Sequence, residues 1–319
     1  MNRGRIVALS GGIGGAKLAL GLYRVLPAGA LTVIVNTGDD FVHLGLTICP
    51  DVDTTLYTLA GIANTELGWG RADETWTFMR VLEVLGSDTW FRLGDGDLAL
   101  HVERTRRLAL GESLSDITAY VAQRFDVSAD VVPASDSPVR TRIVTTDGDL
   151  SFQDYFVRQR CEPRVRALHY DGALAARPSA RAAAALTRAD LEAIIICPSN
   201  PYLSIDPMLA VPGFRELLMN AAAPVVGVTP LVGGKALKGP TAKIMEELGT
   251  PLTPASVAQH YEDLIDGFVV DERDAPLASG FPCPISVTDT VMTTLADRER
   301  AARAVLEFGR SLRPSPVAE

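Results

Sequence analysis

The sequence predicts an α/β fold: a doubly wound, mostly parallel, Rossmann-like sheet with a small β-containing insertion subdomain. Three short apolar runs, at residues 6–9, 194–197 and 225–229, have the composition of strands that are buried on both faces. Segments with helical spacing follow these runs, and strand and helix alternate through most of the chain. This alternation is typical of a parallel sheet with helices on both faces.

A glycine-rich turn joins the first predicted strand to the first predicted helix. It contains Gly11, Gly12, Gly14 and Gly15, with Lys17 just beyond them. Glycines permit close approach of the backbone, and the start of a helix directs unpaired N–H groups at one spot, which suits a phosphate or another anion. Lys17 stands at the third glycine position of a dinucleotide fingerprint, and no Gly-Lys-Ser/Thr completes a Walker A loop. The alternative is a tight turn that binds no ligand.

Four carboxylates follow the second predicted strand, at residues 31–36. Asp39 and Asp40 come soon after it, and Asp51 and Asp53 precede a helix. Ligands bind at the carboxyl ends of strands in open α/β sheets, beside the glycine-rich turn. We therefore predict that these carboxylates hold a divalent cation or accept a hydrogen bond from a substrate hydroxyl. The simpler alternative is that Asp53 caps the helix.

Later strands also end in polar residues. Ser199 and Asn200 follow the run at residues 194–197, and Lys243 lies near the start of a predicted helix, whose N-terminus can face an anion. These side chains fall at the same edge of the predicted sheet as the glycine-rich turn. The inventory of Asp, Asn, Ser and Lys suits phosphate binding and metal-assisted group transfer.

The histidines and cysteines predict no zinc site and no disulfide framework. The four histidines, His43, His101, His169 and His260, show no metal-ligand spacing, and we expect them to be structural or surface residues. The four cysteines are widely scattered, with no Cys-x-x-Cys pair.

The predicted domain boundaries follow a change of pattern near residue 128. Residues 128–172 read as β-structure, with an Asp-Gly pair as a hairpin signal. We predict a β-rich insertion at 128–172, a Rossmann-like core at 1–127 and 173–312, and a flexible tail at 313–319.

Composition and charge exclude several classes of partner. The chain has 319 residues and a formal net charge of -9, and its 47% hydrophobic and 22% charged content is ordinary for a globular protein. No basic stretch with interleaved aromatic residues is present, so nucleic acid is not expected as a partner. No signal peptide is visible, and no apolar run approaches the roughly 20 residues that span a bilayer. We expect a cytoplasmic location and no membrane partner.

Eight short motifs occur along nearly the whole chain. They are Ser10-Gly-Gly-Ile-Gly-Gly-Ala-Lys17, Val35-Asn-Thr-Gly-Asp-Asp40, Pro50-Asp-Val-Asp-Thr54, Leu93-Gly-Asp95, Phe152-Gln-Asp-Tyr155, Pro198-Ser-Asn-Pro201, Gly239-Pro-Thr-Ala-Lys243 and Asp271-Glu-Arg-Asp274. Together, and in this order, they resemble the 2-phospho-L-lactate transferase (CofD/FbiA) family of coenzyme F420 biosynthesis. The chain departs from the family pattern at Ile13, where threonine is usual, and at Gly96, where arginine is frequent.

This resemblance implies a reaction. The acceptor would be the deazaflavin Fo, and the donor would be a GDP-linked three-carbon acid that carries 2-phospho-L-lactate or phosphoenolpyruvate. The terminal ribityl hydroxyl of Fo would attack the donor phosphate and release GMP, with Mg²⁺ as cofactor. The resemblance also implies a homodimer.

The resemblance also implies roles for individual residues. Asp53 and Arg92 fall at Fo-contacting positions, and Asp53 is the catalytic candidate, as hydrogen-bond acceptor or metal ligand. The candidates for the donor phosphates and guanosine are Gly11, Gly12, Gly14, Gly15, Lys17, Asn36, Ser199, Asn200 and Lys243. The candidates for the metal are Asp39, Asp40, Asp51 and Asp53.

Two alternatives stay open at this point. A related family of non-enzymatic regulators shares the fold and binds a UDP-sugar, and it needs the glycine-rich turn but not the Fo contacts. The pair Asp53 and Arg92 favours the transferase, as does the stretch that begins at Phe152. The second alternative is a nucleotidyl- or sugar-nucleotide-dependent transferase that acts on another hydroxyl acceptor, from which tight Fo binding would distinguish the first choice.

Overall fold

A parallel sheet forms the centre of the protein, whose computed structural model describes residues 4–237, 239–277 and 279–312. In chain order the described strands are β1 (Arg5–Ser10), β2 (Leu31–Val35), β3 (Phe41–His43), β4 (Leu46–Ile48), β5 (Asp130–Pro133), β6 (Arg140–Thr145), β7 (Gly148–Ser151), β8 (Val165–Asp171), β9 (Leu191–Ile196), β10 (Val225–Val228), β11 (Leu231–Val232), β12 (Lys235–Ala236), β13 (Gly267–Asp271) and β14 (Ile285–Thr288). Seven of them pair in parallel in the order β14-β13-β10-β9-β1-β2-β5. The predicted α/β class with a mostly parallel sheet is confirmed.

Helices cover both faces of this sheet. They are α1 (Gly12–Val25), α2 (Pro50–Ala60), α3 (Thr77–Val84), α4 (Asp95–Ala109), α5 (Leu114–Arg124), α6 (Ala180–Leu186), α7 (Asp206–Leu209), α8 (Phe214–Met219), α9 (Thr241–Glu247), α10 (Pro254–His260) and α11 (Leu295–Ser311). Helices α1, α2, α5 and α11 contribute to one buried cluster, and α6, α8, α9 and α10 contribute to the other. Within the described ranges, no helix has the length and apolar character that crossing a membrane requires.

Strand β1 shows why the central strands are continuously apolar. Ile6 and Ala8 pack into one cluster, and Val7 and Leu9 pack into the other. Successive side chains of a strand point to opposite faces, so a sheet covered on both sides buries every residue of its inner strands. The hydrophobic effect of this burial holds the helix layers to the sheet.

The antiparallel insertion begins later than the sequence indicated. Strand β5 pairs in parallel with β2 and belongs to the central sheet, although the predicted insertion at 128–172 included it. The local pattern identifies β-structure but not the sheet that a strand joins. The separate sheet contains β6, β7 and β8, in the order β7-β6-β8. After β7 the chain forms a π-helical turn, Asp154–Arg158, inside the range that the sequence predicted as β-structure. The predicted tail at 313–319 lies outside the described residues.

The order of the strands fixes the position of a binding site. From β1 the chain proceeds to β2 and β5 on one side, and from β9 it proceeds to β10, β13 and β14 on the other. In open α/β sheets, ligands bind outside the carboxyl ends of the strands where the order reverses. That position here lies between the ends of β1 and β9, where residues 10–15 and 197–204 meet.

The glycines at the start of α1 allow this meeting. A Cβ on Gly14 would lie 2.4 Å from the carbonyl oxygen of Pro198, and a Cβ on Gly15 would lie 2.5 Å from Ser199 Oγ. Both distances are well below van der Waals contact. Gly14 is therefore required for backbone packing between two strand ends, and Gly15 leaves room for the Ser10 and Ser199 side chains.

We expect Gly14→Ala to lower the free energy of unfolding by about 1–3 kcal/mol, because the added methyl group overlaps a backbone oxygen. Denaturant titration of the purified variant and the wild type measures this loss. Gly309→Ala on α11 is the matched control and should cost less, since its nearest neighbour would be Ala193 Cβ at 3.3 Å. Equal stability of Gly14→Ala and wild type would contradict the close-packing interpretation.

Candidate active site

A cavity of about 610 Å³ opens where β1 and β9 end. The start of α1 and residues 198–204 line one side of it, and carboxylates of α2 and α4 line another. An aromatic wall and residues 239–241 complete the described lining. The cavity is large enough for a cofactor-sized ligand.

Two backbone N–H groups of the glycine-rich turn already have protein partners. Gly11 N–H donates to Ser199 Oγ at 3.1 Å, and Gly12 N–H donates to Asp51 Oδ1 at 2.7 Å. Ile13 and Gly14 follow on the first turn of α1, where N–H groups have no partner within the helix. Both residues line the cavity. An anion at this helix would therefore meet Ile13 and Gly14, and Ile13 was not among the predicted residues.

Asn36 joins two of the predicted carboxylates. Its Nδ2 donates to Asp39 Oδ1 at 3.0 Å and to Asp51 Oδ2 at 2.9 Å. Asp39 and Asp51 are buried and line the cavity, whereas Asn36 lies behind them. Burial raises the pKa of both carboxyls, and the charge of Asp51 raises the pKa of Asp39 further. The unprotonated pair thus carries a buried negative charge that a cation in the cavity would stabilise.

Asp40 is buried beside Cys49 and does not belong to the described cavity lining. Burial raises its pKa to about 7, although the charge of Arg140 and a hydrogen bond from Cys49 act in the opposite direction. Its Oδ1 has no hydrogen-bond partner in the part of the chain that the structure describes. This carboxyl therefore keeps its proton to a pH well above the range in which aspartate ordinarily ionises.

Asp53 is held by a buried arginine that the sequence analysis did not identify. Arg104 Nη1 donates to Asp53 Oδ2 at 3.0 Å, and Arg104 Nη2 donates to Asp53 Oδ1. Burial raises the pKa of Asp53, while the guanidinium acts to lower it. Asp53 also lines the cavity. Its carboxylate is therefore fixed in orientation and still accessible to a ligand.

His101 lies between Asp53 and Asp97, where the sequence predicted only structural or surface histidines. His101 Nε2 is 3.3 Å from Asp97 Oδ1, and His101 Nδ1 is 3.7 Å from Asp53 Oδ2. The Tyr57 hydroxyl donates to Asp97 Oδ1 at 2.6 Å. All four residues line the cavity. Burial acts to raise the pKa of Asp97, but its contact with His101, the hydrogen bond from Tyr57 and the charge of the nearby Arg104 leave it below its ordinary value.

Helical spacing could have identified these α4 residues. Asp97, His101 and Arg104 stand at positions i, i+4 and i+7, which lie on one face of a helix. Helix α4 begins at Asp95 and therefore includes Asp97. That this face meets Asp53 depends on the packing of α4 against β4 and α5, which sequence spacing does not reveal.

Aromatic side chains form one wall of the cavity. They are Trp69, Trp90, Phe91, Phe152 and Phe156. Phe152 and Phe156, from the insertion, are stacked with ring centroids 5.3 Å apart. Arg92 also lines the cavity, and its guanidinium lies 4.3 Å from the centre of the Trp76 ring. This wall can stack on a planar ring system, and Arg92 adds a positive charge.

The predicted donor-binding residues do not all reach the cavity. Ser199 and Asn200 line it, and Asn200 Nδ2 has no hydrogen-bond partner among the described residues. Gly15, Lys17 and Lys243 lie outside the described lining. The Lys243 amine instead donates to the Glu247 carboxylate at 2.7 Å and to the carbonyl oxygen of Pro163 at 2.9 Å. These bonds join α9 to the insertion and direct Lys243 to a structural role.

Comparison with known proteins identifies the family. The model of the family described as 2-phospho-L-lactate transferase CofD matches residues 6–279. The chain belongs to this family. The matched range contains the whole of the described cavity lining, so the cavity is part of the CofD-family region.

Curated relatives match this chain over nearly its full length. A phosphoenolpyruvate transferase of Streptomyces griseus is 41% identical, and the match covers 97% of this chain and 99% of the relative. A 2-phospho-L-lactate transferase of Methanocaldococcus jannaschii is 38% identical, and the match covers 96% of this chain and 99% of the relative. A solved UPF0052-family protein of Bacillus halodurans shares the fold, with a TM-score of 0.60 at 16% identity and coverage of 96% and 99% of the two chains.

The raised pKa of Asp40 predicts a pH dependence of stability for this chain without metal. Its carboxyl has a pKa of about 7 in the folded protein, against an ordinary value of 3.8. Between these values the folded state binds more protons than the unfolded state. The free energy of unfolding therefore falls as the pH rises, by at most about 1.4 kcal/mol per pH unit.

Asp40→Asn should remove this contribution, since the amide stays neutral at every pH. Urea titrations between pH 5 and pH 7.5, with a chelator present, measure the slope for each protein. Asp147→Asn, at an exposed hairpin turn, is the control and should keep the wild-type slope. A wild-type slope in Asp40→Asn would show that Asp40 does not titrate as described.

Proposed function

We propose that this chain transfers a 2-phospho-L-lactyl or phosphoenolpyruvyl group from a GDP-linked donor to the terminal ribityl hydroxyl of Fo, with release of GMP. This is a transfer step in coenzyme F420 biosynthesis. Membership of the CofD family and the names of the relatives support the transferase activity. The observation that carries the detailed proposal is that one cavity combines an aromatic wall, a fixed carboxylate and the open start of a helix.

The aromatic wall suits the deazaflavin. A planar tricyclic ring gains from stacking on the faces or edges of aromatic side chains such as Trp90 and Phe156. Arg92 lies at the same wall, where its guanidinium can stack on the ring or donate to a ring carbonyl. With the ring at this wall, the flexible ribityl chain points towards the carboxylates of α2 and α4, which line the same cavity.

The start of α1 suits the donor diphosphate. The N–H groups of Ile13 and Gly14 and the positive end of the helix dipole favour an anion. Asn200 adds an amide donor with no other partner among the described residues. Two kinds of hydrogen-bond donor, together with the helix dipole, thus favour an anion in the part of the cavity between the ends of β1 and β9.

Asp53 is the acceptor for the proton of the attacking hydroxyl. The hydroxyl oxygen forms a bond to the donor phosphorus, the bond from phosphorus to the GMP oxygen breaks, and the proton passes to the carboxylate. Both Asp53 oxygens accept from Arg104, yet a carboxylate has about four lone-pair sites, which leaves about two, and the hydroxyl needs one of them. Positioning of this kind and electrostatic stabilisation account for most of the catalysis in phosphoryl transfer.

The acidic residues fit Mg²⁺, which prefers oxygen ligands. Asp39 and Asp51 share the Asn36 amide and line the cavity, and burial raises the pKa of both. We assign Mg²⁺ to this pair, whose carboxylates would hold it, and the bound ion would supply positive charge to the donor phosphates. Of the other two metal candidates, Asp40 lies away from the cavity and Asp53 is already paired with Arg104.

A second acidic group fits Mg²⁺ less well. In the described ranges, one group of three histidine, cysteine or acidic side chains has its ligand atoms within 4.8 Å of one another. It contains Asp53, Asp97 and His101. An imidazole nitrogen is not a preferred ligand of Mg²⁺. In addition, Arg104 already compensates the charge of Asp53.

The UDP-sugar-binding regulator is the alternative of the same fold. The Bacillus halodurans structure is similar in fold alone, so it favours neither function. Relatives that are 36–41% identical carry transferase names, which favours the enzyme. The homodimer and the cytoplasmic location expected from the sequence remain predictions.

Titration of the intrinsic fluorescence of Fo with the purified protein tests the acceptor. We expect saturable binding, and we expect mass spectrometry to detect the Fo phosphodiester and GMP when a GDP-linked donor and Mg²⁺ are added. The absence of both Fo binding and product under all of these conditions would exclude the proposed function. Saturable binding of a UDP-sugar in the same assay, without Fo binding, would support the regulator.

We expect Arg92→Met to weaken Fo binding about tenfold, because it removes a cation at the aromatic wall and leaves the site of the donor phosphates unchanged. The same titration measures the dissociation constant, and GDP binding by calorimetry should stay at the wild-type value. Arg80→Met on the exposed side of α3 is the control. Unchanged Fo affinity in Arg92→Met would remove this residue from the acceptor site.

A further inference from the structure

We infer that Arg104 and His101 are positioning residues, which hold the Asp53 carboxylate in the orientation in which it meets the acceptor hydroxyl. The inference rests on the proposed function, since it concerns how Asp53 acts in that reaction. Neither residue was predicted as part of a site. Both lie on α4, on the same helix face as Asp97.

Arg104 acts through Asp53 rather than on a ligand. It does not line the described cavity, and only 2% of its side chain is exposed. Its two terminal nitrogens each donate to a different oxygen of Asp53. A bidentate pair fixes the plane of the carboxylate, whereas a lysine would attract it as a point charge and leave it free to rotate.

A contribution to stability is a weak explanation for the buried ion pair of Arg104 and Asp53. Removing two charges from water costs several kcal/mol per ion, and well-packed apolar residues often replace a buried ion pair without loss of stability. The cost is better explained by orientation, because Asp53 is also the residue of the pair that faces the cavity. A carboxylate that could rotate would have to be ordered again at each turnover.

His101 fixes Arg104 from the other side. Arg104 Nη1 lies 3.2 Å from His101 Nδ1, and a guanidinium can only donate, so Nδ1 must be the acceptor. The ring proton is therefore on Nε2, which faces Asp97 Oδ1 at 3.3 Å. Asp97 in turn accepts from the Tyr57 hydroxyl. Hydrogen bonds thus join Tyr57 to Asp97, and His101 through Arg104 to Asp53, while His101 Nε2 lies close to Asp97 without the alignment of a hydrogen bond.

The test is a double-mutant cycle on turnover, with Asp53→Asn, Arg104→Lys and the double variant. We expect Arg104→Lys to lower kcat about 10²-fold, with KM for Fo and for the donor changed by less than about threefold. Because Arg104 acts through Asp53, the double variant should turn over within about threefold of Asp53→Asn. Thermal unfolding and circular dichroism check that each variant is folded.

Variants of His101 give a second measurement that does not depend on Arg104 variants folding. His101→Gln can accept from Arg104 through Oε1 and donate to Asp97 through Nε2, so it should retain most of the activity. His101→Leu offers neither contact and should lose about 10²-fold in kcat. Arg107→Lys is the matched control on the same helix, since Arg107 pairs with Glu103 and Glu112 outside the described cavity lining. Its kcat should equal that of the wild type.

Each result decides between the two proposals. The positioning role would be overturned by a wild-type kcat in Arg104→Lys or by losses that multiply in the double variant. Equal activity of His101→Gln and His101→Leu would also overturn it. None of these three results would contradict the transferase activity. A wild-type protein that forms no Fo phosphodiester would overturn the proposed function, and the positioning role with it. The inference would be supported if the kcat losses of Asp53→Asn and Arg104→Lys do not multiply in the double variant and if His101→Gln retains most of the activity.

Discussion

The close contact between the start of α1 and the segment after β9 determines the geometry of the cavity. Glycine at positions 14 and 15 lets the helix approach Pro198 and Ser199 to a distance that no side chain would permit. Gly11 and Gly12 then donate their N–H groups to Ser199 and to Asp51. The helix start, the carboxylates of α2 and the residues after β9 are therefore held together before any ligand binds.

Buried charge is the second constraint, and the protein meets it in two different ways. Asp53 is compensated by a bidentate arginine, which fixes its orientation. Asp39 and Asp51 both accept from the neutral Asn36 amide, Asp51 also accepts from the Gly12 N–H, and burial raises the pKa of both. The first arrangement suits a carboxylate that must accept a proton at a defined place. The second arrangement suits carboxylates whose negative charge a metal ion would compensate.

The parts of this structure that could be predicted from sequence are those set by local pattern. Buried apolar runs identified β1, β9 and β10, and polar residues at strand ends placed Asp53, Ser199 and Asn200 near the glycine-rich turn. Pattern did not show that β5 joins the central sheet, because strand partners are chosen by tertiary packing. For the same reason His101 was interpreted as structural, since its importance depends on which residue α4 faces.

Lys243 and the glycines illustrate a further limit of sequence analysis. A lysine near a helix start is typical of phosphate sites, yet here its amine binds Glu247 and the Pro163 carbonyl. Glycines after a strand are typical of ligand approach, yet here Gly14 also packs against the backbone of Pro198 while it lines the cavity. In both cases the residue type is compatible with two uses, and the position of its neighbours shows which of them the fold employs.

The most direct test of this account is a crystal structure of the protein with Fo, GDP and Mg²⁺. The account predicts the deazaflavin ring against the wall formed by Trp90 and Phe156, and the terminal ribityl oxygen at a hydrogen-bond distance of about 3 Å from Asp53. It also predicts a phosphate of GDP at the N–H groups of Ile13 and Gly14. Fo bound with its ribityl chain directed away from Asp53, or GDP bound outside this cavity, would contradict it.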